Sequence, residues 1–220
     1  MTECEWLACK SAQGMLNFLA LTAGRRKLWL FAVACCRRVW HLVTDAGCRH
    51  MIESAESFAD GAVGRETLAL AWLDIAPMKE NTSRRVAEAA RNAVLASFGN
   101  VPHAAWIAAQ VTREILMKHS PRDAWKTVKA AEQQRETNLL RDLFGPLPFR
   151  AVAVEPGWKM PAVVALAGSA HEERRFEDLP ILGDALEEAG CTDADILNHC
   201  RLPGVHVRGC WLVDALLGKR

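Results

Sequence analysis

Nine consecutive apolar residues, Leu28 to Cys36, stand between Arg25-Arg26-Lys27 and Arg37-Arg38, and this block limits the fold more than any other stretch. Within 25–43, Leu28, Phe31, Ala32, Cys35, Val39 and Leu42 recur at the three-and-four spacing of one helix face. Trp29, Val33, Cys36 and Trp40 form a second apolar face beside it. A helix apolar on two adjoining faces needs neighbours on both. The run is about half of the roughly 20 residues that a bilayer crossing takes, so a central core helix is expected over 25–43 rather than a membrane span.

The remainder of the chain can supply those neighbours. At 220 residues, half of them hydrophobic, it suits one large domain or two small ones with a substantial core, and disorder is not the default. Lys plus Arg (27) nearly balances Asp plus Glu (26), which removes any global argument for nucleic acid or an anionic membrane. The charge is uneven, however. From 25 to 49 six basic residues face Asp45 alone, whereas from 171 to 200 nine acids face Arg174 and Arg175. Residues 1–10 carry Glu3 and Glu5 and lack the basic start and apolar run of a secretory signal, so a cytoplasmic protein with reduced cysteines is expected.

Taken in order, the chain predicts a series of helices. Thr2 caps a short one holding Trp6 and Leu7, and a second covers 12–21. Asp45 caps a helix over 46–59 with Met51, Ile52, Ala55 and Phe58 inward; another covers 66–76 before Pro77. Thr82 or Ser83 starts a helix running through Phe98 and closed by Gly99-Asn100, and Pro102 opens the next. Ser120-Pro121 caps a long helix over 122–144, whose polar stretch 132–138 is expected to face solvent. Four prolines in 145–161 (Pro146, Pro148, Pro156 and Pro161) forbid a regular helix and predict an extended strap. Helical patterns follow at 162–174, 180–189, 193–200 and 207–217. Alternation of the strand type is confined to Val152-Ala153-Val154. The expected fold is all-α: a helical array over 1–144 around the 25–43 helix, the proline-rich strap over 145–161, and a small acidic helical subdomain over 162–220 packed on the first.

One set of strings is Thr2-Glu3 with Glu5-Trp6-Leu7, Cys35-Cys36-Arg37-Arg38 with Trp40, and Leu140-Arg141-Asp142 with Phe144-Gly145. A second set, near the carboxy terminus, is Phe176 to Leu182, Asp184 to Cys191, His199-Cys200-Arg201 and His206 to Trp211. Together these strings resemble a large uncharacterised bacterial family. The resemblance implies a self-contained bacterial unit of about this length and carries over no catalytic residue and no cofactor.

Three constellations carry possible chemistry. Cys191, His199, Cys200, His206 and Cys210 are soft sulfur and imidazole donors of the kind zinc prefers, with His206 and Cys210 one turn apart if the last helix starts early enough. Against zinc, no cysteine pair has the two-residue spacing of a knuckle, and the adjacent His199 and Cys200 point in different directions. The basic residues Arg25, Arg26, Lys27, Arg37, Arg38 and Arg49 are the nucleic-acid candidates. Pairing of Arg37 or Arg38 with an internal acid such as Asp142, Glu172 or Asp184 is the favoured alternative. The helix pair around Gly190-Cys191 has helix-turn-helix spacing, yet Asp193 and Asp195 at the second helix's start would repel a phosphate backbone. No phosphate-cradling glycine loop, zinc-protease helix or nucleophile elbow is present, and Cys35 and Cys36 read as packed thiols. A non-enzymatic protein-interaction or scaffold module is therefore expected, with no catalytic residue. A nucleic-acid-binding helical protein and a zinc-stabilised helical module are the alternatives.

Overall fold

A computed structural model describes residues 1–96, 100–146 and 148–219 of the protein, and among the described residues there are twelve α-helices and no strand. They are α1 (Glu3–Ala8), α2 (Ala12–Leu19), α3 (Arg25–Arg37), α4 (Ala46–Ala59), α5 (Arg65–Ile75), α6 (Thr82–Leu95), α7 (Val101–Lys118) and α8 (Trp125–Phe144). α9 (Pro161–Glu172), α10 (Leu179–Glu188), α11 (Ala194–Arg201) and α12 (Trp211–Leu217) follow. The expected helix end at Phe98 and Gly99 lies outside the described residues. No described helix is long and apolar enough to cross a membrane.

Local chemistry sets most helix starts. The side chains of Ser11, Asp45, Asn81 and Asp193 accept from first-turn amides of α2, α4, α6 and α11. Proline occupies the first turn of α7, α9 and α10, where its missing N–H costs nothing. The chain forms two compact units, Glu3–Thr137 and Asn138–Arg220. The division falls inside α8, seven residues before the proline-rich segment where a boundary was expected.

In the first unit α3 packs against α4, α6 and α7, and every residue from Leu30 to Cys36 is buried along with Leu28. Each such aliphatic or aromatic side chain contributes roughly 1.5–3 kcal/mol on leaving water. The facing surfaces of α6 and α7 are small, with Ala87, Ala90, Ala93, Ala105, Ala108 and Ala109 buried, and this lets the two helices pack closely. α3 stops at Arg37, six residues short of the expected end, and a 3-10 turn covers Trp40–Leu42. The turn is stabilised from outside the helix: the Arg49 Nε–H donates to the Val43 carbonyl at 2.6 Å, and the Thr44 N–H donates to Ser83 Oγ at 3.1 Å. Val39 and Val43 thereby enter the core.

The polar stretch of α8 departs furthest from expectation. Glu132, Glu136 and Thr137 are buried, at 3%, 3% and 0% exposure, rather than facing solvent. Glu132 accepts from the Arg38 Nε–H (2.7 Å) and Nη2–H (2.9 Å), and from Arg135. Glu136 is held by the Arg113 guanidinium at 2.8–3.1 Å. These are forked, charge-assisted pairs, which is the condition under which a carboxylate survives burial.

In the second unit α9, α10, α11 and α12 surround Trp158, Val163, Ala167, Leu182, Leu186, Ile196, Trp211 and Leu212. The crossing of α10 over α11 depends on Gly183, where a Cβ would lie 2.8 Å from that of Cys200. The described residues between Gly145 and Met160 form turns, an irregular run and a 3-10 turn at Pro156–Trp158; Val152-Ala153-Val154 makes no strand.

Glu132 gives a pH-dependent test of the first unit. Burial pushes its carboxyl up, but the combined hydrogen bonds and charges of Arg38 and Arg135 outweigh burial and hold it below the ordinary carboxylate value. A carboxyl depressed on folding contributes stability that is complete above its unfolded pKa, about 4.3, and is lost as pH falls through the lower folded value. Glu132→Gln is expected to cost about 3 kcal/mol in urea unfolding at pH 7, with the difference from the unsubstituted protein narrowing below about pH 4. A difference under about 1 kcal/mol at pH 7, or one that does not change with pH, would contradict the pairing.

Candidate metal centre

Asp142 lies in the last turn of α8 at 5% exposure, inside the apolar stripe of Leu139, Leu140 and Leu143. A carboxylate there must be compensated, and the segment between α11 and α12 compensates it. Its Oδ2 accepts from the Val207 backbone N–H at 2.9 Å, and its Oδ1 lies 2.7 Å from His206 Nδ1. Arg208 anchors the same segment by donating to the carbonyls of His171 and Glu172 at the end of α9, where the helix leaves its carbonyls without intrahelical partners. Cys210 precedes α12, its N–H closing a turn onto the Val207 carbonyl at 2.9 Å. His199 enters from the last turn of α11, its Nε2 3.0 Å from Cys210 Sγ and 3.5 Å from Asp142 Oδ1.

One ligand atom from each of Asp142, His199, His206 and Cys210 therefore falls within 4.8 Å of every other. Carboxylate oxygen, two imidazole nitrogens and a sulfur make a four-donor set suited to tetrahedral zinc. With Oδ2 engaged by Val207, Asp142 presents Oδ1 alone. Burial pushes His199 down to about 4, against the opposing pull of Asp142 and with a further push from His206, so the ring is neutral near pH 7, as a metal ligand must be. The two histidine rings meet edge to face, with centroids 4.9 Å apart.

Through His199 these atoms do not form a Cys–His–Asp relay. A relay places the acid on the imidazole nitrogen opposite the one that faces the nucleophile. Here Cys210 and Asp142 both face Nε2, while Nδ1 accepts from the Trp211 indole N–H at 3.1 Å.

Three of the five residues expected to bind metal are brought together, and two are not. Cys191 and Cys200 are 1% and 2% exposed within the apolar core of the second unit. Burial pushes both thiols up, Cys200 to about 12, which keeps them protonated. Sulfur type alone groups them with Cys210. His206 and Cys210 are not related by a helical turn, because α12 starts at Trp211 rather than 207 and Asp142 takes the Val207 N–H instead. Asp142 is the candidate donor absent from the residues that the sequence groups for metal. Its signal was an acid in register with Leu139 and Leu143, where an apolar residue is the rule.

The basic residues are dispersed over internal partners. Arg26 pairs with Asp60 at 2.5 Å, Arg37 with Glu56 at 2.9 Å and Arg38 with Glu132; Asp142, Glu172 and Asp184 are not the acids that receive Arg37 and Arg38. Arg37 and Arg49 both lie over the Trp40 ring, at 4.5 and 5.3 Å, and Arg25 lies 5.7 Å from the Trp29 ring centroid. Lys27 is half-buried. Cys35 and Cys36 are buried thiols pushed up chiefly by desolvation, Cys36 to about 12.

No protein-family model, no curated protein and no solved structure matches the chain.

The wall of the centre rests on Gly145. With φ of +50°, it occupies the left-handed region, and a Cβ there would lie 2.5–2.7 Å from Cδ1, Cγ and Nε1 of Trp211. Gly145→Ala is expected to lower stability by about 2 kcal/mol or more in denaturant unfolding. Unchanged unfolding would mean that Trp211 is not held against this backbone.

Proposed function

We propose that this chain is a non-catalytic helical module whose carboxy-terminal unit is closed by one zinc-class ion held by Asp142, His199, His206 and Cys210, and that its role is contact with another protein. The observation that carries this is the convergence of four donor atoms within 4.8 Å from three separate pieces of chain: the end of α8, the end of α11 and the segment before α12. The helices of that unit are short, α10, α11 and α12 having ten, eight and seven residues. Helices of this length are marginal alone, and small units commonly rely on a metal or disulfides for closure. All eight cysteines stand outside disulfides, which leaves metal as the available cross-link. Contact with protein is favoured over nucleic acid because Arg26, Arg37 and Arg38 have their charge engaged by internal acids. A cytoplasmic setting suits a thiolate ligand, since reducing conditions preserve it.

The test is metal analysis of the untagged, reduced full-length protein, with thermal unfolding before and after a chelator. About one zinc per chain and a lowered Tm after chelation are expected. Cys210→Ser and His206→Ala should lose the metal, while Cys191→Ser and Cys200→Ser should retain it. A protein that takes up no zinc on incubation with the ion, and whose unfolding ignores the chelator, overturns the proposal.

A further inference from the structure

We infer that metal at this centre and the hydrogen bond from Trp211 to His199 exclude one another, so that the arrival of the ion is transmitted to the head of α12. The inference rests on the metal-binding function proposed above. It starts from the chemistry of the two nitrogens of His199. An indole N–H donates only, so the imidazole nitrogen that receives it, Nδ1 at 3.1 Å, must carry a lone pair. The neutral ring then holds its proton on Nε2, the nitrogen directed at Cys210 Sγ (3.0 Å) and Asp142 Oδ1 (3.5 Å). A metal bound at Nε2 needs the lone pair there. The ring proton must then leave Nε2 and a proton must occupy Nδ1, with no net change in the charge of the imidazole. Two N–H groups would now face each other across 3.1 Å.

A metal-bound histidine usually directs its second N–H to a carboxylate or carbonyl, which strengthens it as a ligand. Here a donor takes that place, so the ion and the indole make opposite demands on the same imidazole. The indole has little freedom to withdraw. Trp211 is 2% exposed, and the Gly145 backbone lies directly against its Cδ1, Cγ and Nε1 edge. Its ring centroid is 4.9 Å from that of His199. Relief therefore involves the first turn of α12, and the residue immediately before Trp211 is the ligand Cys210. The thiolate that draws the ion and the indole that must yield to it are neighbours in one backbone segment. Binding thus couples to a rearrangement at the start of α12, and the module has two forms distinguished by metal.

The experiment is NMR of the full-length protein, 15N-labelled at histidine and tryptophan, with and without zinc, together with competition titration of zinc against a chelator. Trp211→Phe assigns the indole resonance and removes the competing donor. In the metal-free protein His199 is expected to carry its proton on Nε2. Zinc should move that proton to Nδ1 and displace the Trp211 indole resonance. Trp211→Phe should bind zinc about tenfold more tightly, the value of one hydrogen bond no longer broken. If Trp211→Phe fails to fold, the spectra of the unsubstituted protein decide alone. Zinc binding that leaves the His199 tautomer and the Trp211 indole unchanged, or equal or weaker affinity in a folded Trp211→Phe protein, overturns the coupling while leaving the metal centre standing. Failure to bind zinc at all removes the centre and the coupling together.

Discussion

A carboxylate removed from water must meet a cation or a full set of donors, and α8 buries three: Glu132, Glu136 and Asp142. Each fixes a different piece of chain. Glu132 holds Arg38, just past the end of α3; Glu136 holds Arg113 of α7; Asp142 holds His206 and the Val207 amide. In the first unit the pairs are closed, because a guanidinium supplies both charge and geometry. At Asp142 the partners are imidazole and backbone, which satisfy the carboxylate without a permanent positive charge. That difference is why the end of α8 is a candidate for binding a cation while its middle is an internal ion-pair network.

The chemistry of the centre follows from which groups share an atom. Two donors, His199 and His206, converge with Cys210 on the side of Asp142 Oδ1. For proton relay that convergence is wrong, since the acid and the thiol lie on the same imidazole nitrogen. For a metal it is right, since every ligand atom must point at one place. The Trp211 indole adds a discordant contact, a donor at the nitrogen whose N–H a metal-bound histidine normally directs to an acceptor.

Much of this fold is legible in local sequence pattern. The two-faced apolar run gave a helix packed on several sides, and Asp45 marked the start of α4 because capping needs only residues close in sequence. What could not be read depended on distant partners. The stretch 132–138 looks solvated because its residues are polar, yet Arg38, 94 positions away, and Arg113, 23 away, turn Glu132 and Glu136 inward. The pairing of Arg37 and Arg38 with acids was legible from burial of their helix, but the choice of Glu56 and Glu132 was not. At the candidate metal centre, residue type points to His199, His206 and Cys210. It also points to Cys191 and Cys200, which serve as small apolar side chains in the core. Asp142, 57 positions from the first of the histidines, entered only through the fold.

The most direct measurement is X-ray absorption at the zinc edge on the zinc-incubated full-length protein, which counts the atoms around the ion. One sulfur at about 2.3 Å and three nitrogen or oxygen atoms at about 2.0–2.1 Å is the predicted shell. Two or more sulfurs would bring Cys191 or Cys200 out of the core and contradict the assignment. A shell of oxygen alone, or no bound zinc to measure, would contradict the centre itself.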